Sequence, residues 1–261
     1  MNKKTLFVVL TSIMASALLL PAYAAAPYQE ITVTNGTTLT GKVIFAGSEK
    51  QANRHTKVYT SLKDGLVCGK GPRTIQYVKV KGKGKNLPLN DVVVYLKKVK
   101  KGKAWPENVK DTTIDQKQCE FLPFFSVMAN KGNLIATNSD PVAHNIHTYE
   151  MIGRAKRTAI NVSQPQQNTS VTKEINIKRG AGMKVECDQH DFMHSFIFVA
   201  KNPYYAVVAE DGSYQIENIP AGKYTVKTWH GYLKEPRVKN VVVKAGKIKK
   251  LNDFVYKNKK K

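Results

Sequence analysis

The chain has 261 residues, and 42 Lys and Arg against 19 Asp and Glu give it a formal net charge of +23. This length allows one large or two modest domains. Basic runs near residue 80, at 97–103 and at the end of the chain favour acidic partners or anionic surfaces, although each run alone is typical of a solvated face, and no nucleic-acid-binding motif accompanies them.

The first 24 residues have the pattern of a secretory signal peptide. Lys3 and Lys4 precede an apolar run, and Ala22 and Ala24 occupy the small-residue positions that a signal peptidase reads. The run is short for a membrane span. We therefore expect cleavage after Ala24, a periplasmic or secreted protein, and no transmembrane segment in the mature chain.

The rest of the chain predicts strands and almost no helix. Short alternating or β-branched runs are separated by Gly, Pro, Asn and Asp, which is typical of β-sandwiches. Clear examples are "TLTGKVIFAG", "DVVVYLKKVK", "GMKVEC", "SFIFVA" and "GKYTVKTWHG". The polar region 152–170 is predicted to be a long loop.

The three cysteines differ in their neighbours. An exported protein can form disulfides, and an odd count leaves one thiol over. Cys68 and Cys119 have no His or Met within four residues, whereas Cys187 begins "CDQHDFM", with His190 and Met193 close by. We therefore predict a bond between Cys68 and Cys119 and a free Cys187, although spacing alone leaves other pairings open.

A mononuclear blue copper centre needs a thiolate, two imidazoles and a weak axial ligand, usually Met. Cys187, His190 and Met193 supply three of these, and "DPVAHNIHTYE" offers His144 upstream. His147 lies three positions further, on the opposite face of a strand. A buried thiol beside a surface histidine is the plainer alternative. Zinc is a further one, although Met is a poor zinc ligand.

These motifs resemble the amicyanin branch of the cupredoxins over residues 111–203. "CDQHDFM" has the Cys-x2-His-x2-Met spacing of that branch, and "AHNIH" is similar to its first ligand segment. The resemblance implies His144, Cys187, His190 and Met193 as ligands of one mononuclear type 1 copper. It also implies that Asn145 ties the two ligand segments together. Asp188 and Gln189 depart from the family, which places Thr-Pro after the Cys, so Asp188 stands beside the site.

The flanking regions resemble a different family. "LTGKVIFAG", "LNDVVVYLKK" and "EDGSYQIENIPAGKYTVKTWHG" are similar to the carboxypeptidase-regulatory-like, transthyretin-type β-sandwich. The expected fold is therefore all-β: a cupredoxin-like Greek-key sandwich inserted in, or fused to, a second sandwich made of residues 27–110 and 204–261. The whole arrangement resembles exported cupredoxin proteins described as methylamine-utilisation-like.

The expected function is one-electron transfer, because a four-ligand copper site has no open position for a substrate. We expect the electron to leave through an exposed His190 edge, within an apolar rim formed by Phe192, Met193 and Phe196. The basic surface favours an acidic redox partner such as a c-type cytochrome or a dehydrogenase, or an anionic cell surface. The alternative is a copper-handling or surface-binding module without an electron-transfer role. Ser-His-Asp, paired-carboxylate and phosphate-loop motifs are absent from the sequence, so an enzyme is not expected.

Overall fold

A computed structural model describes residues 28–261, and the described chain is built almost entirely from β-strands. The predicted signal peptide, residues 1–24, lies outside the described residues. Within residues 28–261, no helix is long and apolar enough to cross a membrane.

Short strands follow one another along the whole described chain. Before residue 111 the elements are β1 (Gln29–Glu30), β2 (Thr37–Ala46), α1 (Glu49–Asn53), β3 (Thr56–Tyr59), α2 (Gly65–Cys68), β4 (Arg73–Gln76), β5 (Leu87–Pro88), β6 (Val92–Lys97), β7 (Lys101–Gly102) and a short 3-10 helix (Glu107–Val109). The middle of the chain contains β8 (Asp111–Lys117), β9 (Glu120–Leu122), β10 (Phe125–Ala129), β11 (Asn133–Asn138), β12 (His144–Ile152), β13 (Ala155–Gln164), β14 (Thr169–Glu174), β15 (Gly182–Glu186) and β16 (His194–Ala200). The last strands are β17 (Tyr205–Val207), β18 (Ser213–Ile219), β19 (Gly222–His230), β20 (Lys239–Val243), β21 (Ile248–Lys250) and β22 (Phe254–Lys257).

The beginning and the end of the chain together form one pair of sheets, which we call the flanking sandwich. One sheet has the order β17-β6-β19-β20, and the other has the order β18-β2-β21, with β5 and β22 also paired to β2. Strand β2 alternates buried and less buried residues, as a strand with one core-facing side must. Its buried side chains pack in a core with Leu96, Tyr204, Phe254 and Tyr256.

Strands β8 to β16 form a second pair of sheets, which we call the central sandwich. Their orders are β10-β16-β15-β12-β13 and β14-β11-β8-β9. β10 pairs with β16, and β8 with β11, in parallel, while the other neighbours are antiparallel. β16 is buried along nearly its whole length, and burial of its residues on both faces matches the sequence "SFIFVA". Together with the flanking sandwich, this confirms the predicted all-β fold class.

The prediction of a long loop at 152–170 was wrong. This region forms most of β13, which pairs with β12 from His144 to Ile152, and the start of β14. β13 lies at a sheet edge and most of its residues are exposed. Most of its side chains are polar because an edge strand faces solvent. Its backbone is hydrogen-bonded to β12, so it needs no apolar side chains to form a strand.

One hairpin crosses from one sandwich to the other. β3 and β4 belong by sequence to the predicted unit 27–110, yet Tyr59 and Cys68 are part of the core of the central sandwich. This hairpin and the segment between its strands lie over the end of the central sandwich that carries the candidate ligands.

A third apolar cluster joins the two sandwiches. It brings Val93 and Trp229 of the flanking sandwich against Phe196 and Phe198 of β16. A side chain on Gly182 would collide with the Trp229 ring. The close approach at this glycine lets the indole pack directly on the central sheet.

Candidate metal centre

Two neighbouring strands bring the candidate ligands together. His144 is the first residue of β12, and Cys187 follows the last residue of β15, which pairs antiparallel with β12 through His147 and Glu186. The loop 187–193 then carries His190 and Met193 before β16 begins. The loop closes on itself, because the Met193 backbone N–H donates to the His190 carbonyl at 3.0 Å.

Three ligand atoms converge in the buried end of the central sandwich. His144 Nδ1 and His190 Nδ1 lie 3.1 Å apart, and Cys187 Sγ lies 3.9 and 3.7 Å from them. The circle through these three atoms has a radius of about 2.1 Å, close to the metal–nitrogen and metal–sulfur bond lengths of about 2.0 to 2.3 Å. A metal ion in the plane of the three atoms therefore fits this site.

The outer nitrogens of both imidazoles face carboxylates. His144 Nε2 lies 2.9 Å from Asp140 Oδ2, and His190 Nε2 lies 2.9 Å from Asp64 Oδ2. A carboxylate at Nε2 holds the proton there and leaves Nδ1 as a free lone pair for a metal. Each histidine is thus oriented with its ligating nitrogen toward the same point.

Asp140 is itself held firmly. Its two carboxylate oxygens accept the backbone N–H groups of Gln118 and Cys119, each at 2.7 Å. The carboxylate therefore links His144 to the turn that carries Cys119. These charge-assisted hydrogen bonds fix the position of the first imidazole.

Cys187 is the free cysteine of the described chain, and it is buried. Burial raises the pKa of its thiol, although backbone N–H groups of Asn145, Gln189 and His190 act in the opposite direction. The thiol is therefore protonated at neutral pH in the metal-free protein. Because a metal needs the thiolate, binding must release this proton, and the N–H groups that surround the sulfur are placed to stabilise the thiolate.

Asn145 joins the two ligand segments, as the resemblance implied. Its Oδ1 accepts the Asp188 backbone N–H at 2.5 Å, and its Nδ2 donates to Asp188 Oδ2 at 2.9 Å. His147 and Asn161 also contact the Asp188 carboxylate. Asp188 is thus the centre of a polar network beside the site, and Thr-Pro could not make these contacts.

The electrostatic state of Asp188 follows from this network. Burial alone would raise its pKa, but hydrogen bonds from His147, Asn161 and Asn145 outweigh that effect and lower the pKa. The carboxylate therefore stays charged and bonded to its neighbours. His147 serves as one of these neighbours and, as predicted, does not join the three converging ligand atoms.

Met193 lies in the same buried core cluster as Cys187, together with Phe192. Its thioether is an apolar, polarizable group enclosed among apolar neighbours. Its assignment as the axial ligand stays a prediction.

The predicted disulfide between Cys68 and Cys119 is present. Its sulfurs and a ring nitrogen of His190 lie within 4.8 Å of one another. Sequence reasoning placed no other cysteine near Cys187 and missed this closeness. Bonded to each other, the two sulfurs offer no thiolate to a metal.

Residues 60–72, which we call the cover segment, close the site from outside. Asp64 has φ 54° and places its carboxylate on His190 at the start of α2, while Lys63 Nζ donates to Gln189 Oε1 at 3.1 Å. The disulfide ties α2 to the turn before β9. Arg73 adds hydrogen bonds to the carbonyls of Cys68, Gln118 and Cys119.

The cover segment makes the prediction of an exposed His190 edge wrong. His190 is 1 % exposed, and its outer nitrogen faces Asp64 rather than solvent. The apolar rim was also predicted wrongly, because Phe192, Met193 and Phe196 are all buried. The physical reason is that a hairpin distant in sequence packs over this end of the sandwich.

Asp64 and Asp140 are the functional candidates that sequence reasoning missed. Asp140 had a signal, since it precedes His144 by four residues in "DPVAH", across a proline turn. Asp64 had none, because its contact with His190 spans 126 residues. Only the docking of one sandwich's hairpin on the other brings it to the site.

Comparisons with known proteins gave partial matches to solved structures. No family model matches the chain, and no curated protein is significantly similar to it in sequence. Among solved structures, the chain is similar to a purple cupredoxin from Nitrosopumilus maritimus, with 15% identity, a TM-score of 0.30, and 34% of this chain and 100% of that one covered. It is also similar to amicyanin from Paracoccus versutus, with 13% identity, a TM-score of 0.28, and 48% and 98% covered. A copper-containing nitrite reductase from Thermus scotoductus matches with 11% identity and a TM-score of 0.28 over 47% of this chain but 25% of its own length. Similarity at this level carries no argument for a shared activity.

Proposed function

We propose that this protein is an exported mononuclear copper protein that carries single electrons. The observation that supports it most is the convergence of Cys187 Sγ with the Nδ1 atoms of His144 and His190 around one point. One thiolate and two imidazoles in a plane, with a thioether nearby, is the donor set of a type 1 copper site. When bound there, copper supplies a Cu(II)/Cu(I) couple.

The donor set favours copper over zinc. Structural zinc sites use four thiolate, imidazole or carboxylate ligands, and the carboxylates of Asp64 and Asp140 face the outer nitrogens instead of the converging atoms. A buried thioether at Met193 adds a soft ligand that suits Cu(I) and that zinc does not use.

A carrier fits the surroundings of the site better than an enzyme. His144, Cys187, His190 and Met193 are all buried, which favours a closed metal centre over one that is open to a substrate. Asn145, Asp140 and Asp64 hold the ligands in one arrangement. A rigid ligand cage keeps the rearrangement between the two copper oxidation states small, which favours rapid electron transfer.

We also propose that the protein is exported from the cytoplasm. The signal-peptide pattern at residues 1–24 supports it, and a disulfide between Cys68 and Cys119 is typical of an oxidising compartment. In the periplasm or outside the cell, the net positive charge favours an acidic redox protein as partner.

The test is repeated redox cycling of the copper-loaded mature protein. A carrier is expected to pass through at least ten cycles of reduction by ascorbate and reoxidation while retaining its copper, because the ligands stay in place in both states. Metal content is measured after each cycle. Surrender of Cu(I) to a modest competitor such as bicinchoninate would instead indicate copper handling, and no stoichiometric copper binding would contradict both roles.

A further inference from the structure

The His190 edge, from which the electron was expected to leave, is closed in this protein. His190 is covered by Asp64 and the rest of the cover segment, and the Cys68–Cys119 disulfide fastens that segment. An electron that left by this edge would have to cross the cover. Because transfer rates fall steeply with distance, a second face of the site becomes the better route.

Cys187 reaches such a face. It contributes, with Glu186 and Asp188, to the wall of a cavity of about 780 Å³ that lies beside the ligand loop. The β3–β4 hairpin, the turn between β12 and β13, and the end of the chain form the other walls. We call it the basic cavity after its cationic lining residues Arg54, Lys57, Arg154, Lys156, Lys184, Lys260 and Lys261.

Three carboxylates, those of Glu186, Asp188 and Asp191, also line the basic cavity. Glu186 forms ion pairs with Lys156 and Lys184. Asp188 is bonded within the network of Asn145 and His147. Seven lysine and arginine residues outnumber these three carboxylates in the lining, so the net charge offered to a ligand is positive.

Four cations of the lining lack an ion pair. Within residues 28–261, no carboxylate lies within ion-pairing distance of Arg54, Lys57, Arg154 or Lys260. In a concave surface, unpaired charges of one sign concentrate the field and attract ligands of the opposite sign.

The remaining wall is aromatic and contains a histidine with an unsatisfied nitrogen. Tyr77 and Tyr232 stack at 4.7 Å, and Phe196 contacts Tyr77. His194 has a side chain that is 9 % exposed, and its Nδ1 has no hydrogen-bond partner in the described chain. The wall thus offers aromatic surface and an unused polar atom beneath the cationic rim.

We infer that anionic redox partners bind in the basic cavity and exchange electrons with the copper centre from the Cys187 side, not through the His190 edge. The electron exchange rests on the proposed function, whereas the binding of anions in the basic cavity does not. With hexacyanoferrate as the probe, one electron passes from Cu(I) to iron(III), giving Cu(II) and hexacyanoferrate(II), and no proton or bond is transferred.

The first experiment needs no copper. Hexacyanocobaltate(III), a redox-inert trivalent anion, is titrated into the metal-free mature protein and binding is followed by calorimetry. The cavity variant is Arg154→Glu with Lys260→Glu, and the matched control is Lys173→Glu with Lys247→Glu at exposed positions outside the cavity. We expect the affinity to fall at least tenfold in the cavity variant and less than twofold in the control. Equal losses in both would overturn the anion site.

The second experiment measures the rate at which hexacyanoferrate(III) oxidises the Cu(I) protein, at constant ionic strength. The rate is expected to fall about tenfold in the cavity variant, to change less than twofold in the charge control, and to be inhibited by hexacyanocobaltate(III). Leu66→Gln tests the competing route, because Leu66 lies on the cover segment and is 98 % exposed. We expect no change in its rate.

The outcomes separate the two proposals. Slowing by Leu66→Gln but not by the cavity variant would place electron exchange at the cover and contradict the inference. Anion binding at the cavity in a protein whose copper does not cycle would contradict the electron carrier and leave the anion site standing. Absence of anion binding in a protein whose copper cycles normally would contradict the anion site and leave the electron carrier standing.

Discussion

Each sandwich buries histidines, and the two sandwiches use them differently. In the flanking sandwich, His230 Nδ1 accepts the backbone N–H groups of Tyr232 and Leu233, both at 3.0 Å. In the central sandwich, the Nδ1 atoms of His144 and His190 face each other at 3.1 Å, and carboxylates occupy their outer nitrogens. Burial of an imidazole therefore says little about metal binding. What distinguishes the candidate site is a ring nitrogen kept free of backbone donors and aimed at a thiol.

The sharpest test of this contrast substitutes one histidine in each sandwich. His144→Ala is expected to lower the affinity for Cu(II) by more than about a hundredfold, because a ligand atom is lost. His230→Ala is expected to leave the affinity unchanged, since its Nδ1 serves the backbone. Chelator competition measures both, and equal losses in the two variants would contradict the comparison.

The disulfide should distinguish the sandwiches by stability. Cys68 and Cys119 are 51 residues apart, and removal of a cross-link that closes a loop of this size costs roughly 2 to 4 kcal/mol. The double variant Cys68→Ser with Cys119→Ser is expected to lower the free energy of unfolding of the central sandwich by that amount in denaturant titrations. Two separate transitions, of which one alone shifts in the variant, are expected if the sandwiches unfold independently, whereas a single transition that shifts as a whole would indicate one cooperative unit.

The carboxylates behind the imidazoles should matter less than the ligands themselves. Asp64→Asn and Asp140→Asn are each expected to weaken copper binding by roughly ten- to hundredfold, because the amide holds the Nε2 proton less strongly. Asp211→Asn, at an exposed turn, is the matched control and should change nothing. If either site variant bound copper as the wild type does, the carboxylate would have no positioning role.

A pH dependence of the free energy of unfolding is expected from His230. Burial lowers the pKa of His230 to about 3, below its ordinary 6.5. Between these values the unfolded chain takes up a proton that the folded chain does not, so stability falls as the pH drops from about 6.5 towards 3. The slope from this group is at most about 1.4 kcal/mol per pH unit. His230→Gln removes the titrating group and should flatten the measured profile by that amount, whereas an unchanged profile would show that His230 is not buried as a neutral imidazole.

The sequence predicted the strands because alternation is a local pattern. It predicted the convergent ligands because their spacing matches that of a known family. Alternation and turn residues predicted the all-β fold, and "CDQHDFM" with "AHNIH" predicted residues that do come together. The pattern failed at β13, where an exposed edge strand has the polar composition of a loop.

The cover over His190 could not be predicted from the sequence, for a different reason. Whether His190 is open or closed depends on Asp64, which belongs to a hairpin whose strands pair with each other and whose core contacts lie in the other sandwich. No spacing in the sequence links residues that meet only after two sandwiches dock. The prediction of an exposed His190 edge holds only for an isolated central sandwich. The hairpin from the other part of the chain buries that edge.

The visible spectrum of the Cu(II)-loaded mature protein, compared with that of Cys187→Ser, tests the central claim most directly. A copper–thiolate bond in a plane with two imidazoles predicts one equivalent of copper and an intense absorption band near the red end of the visible range, lost in the variant. A colourless complex, or an intense band that persists in Cys187→Ser, would contradict the claim.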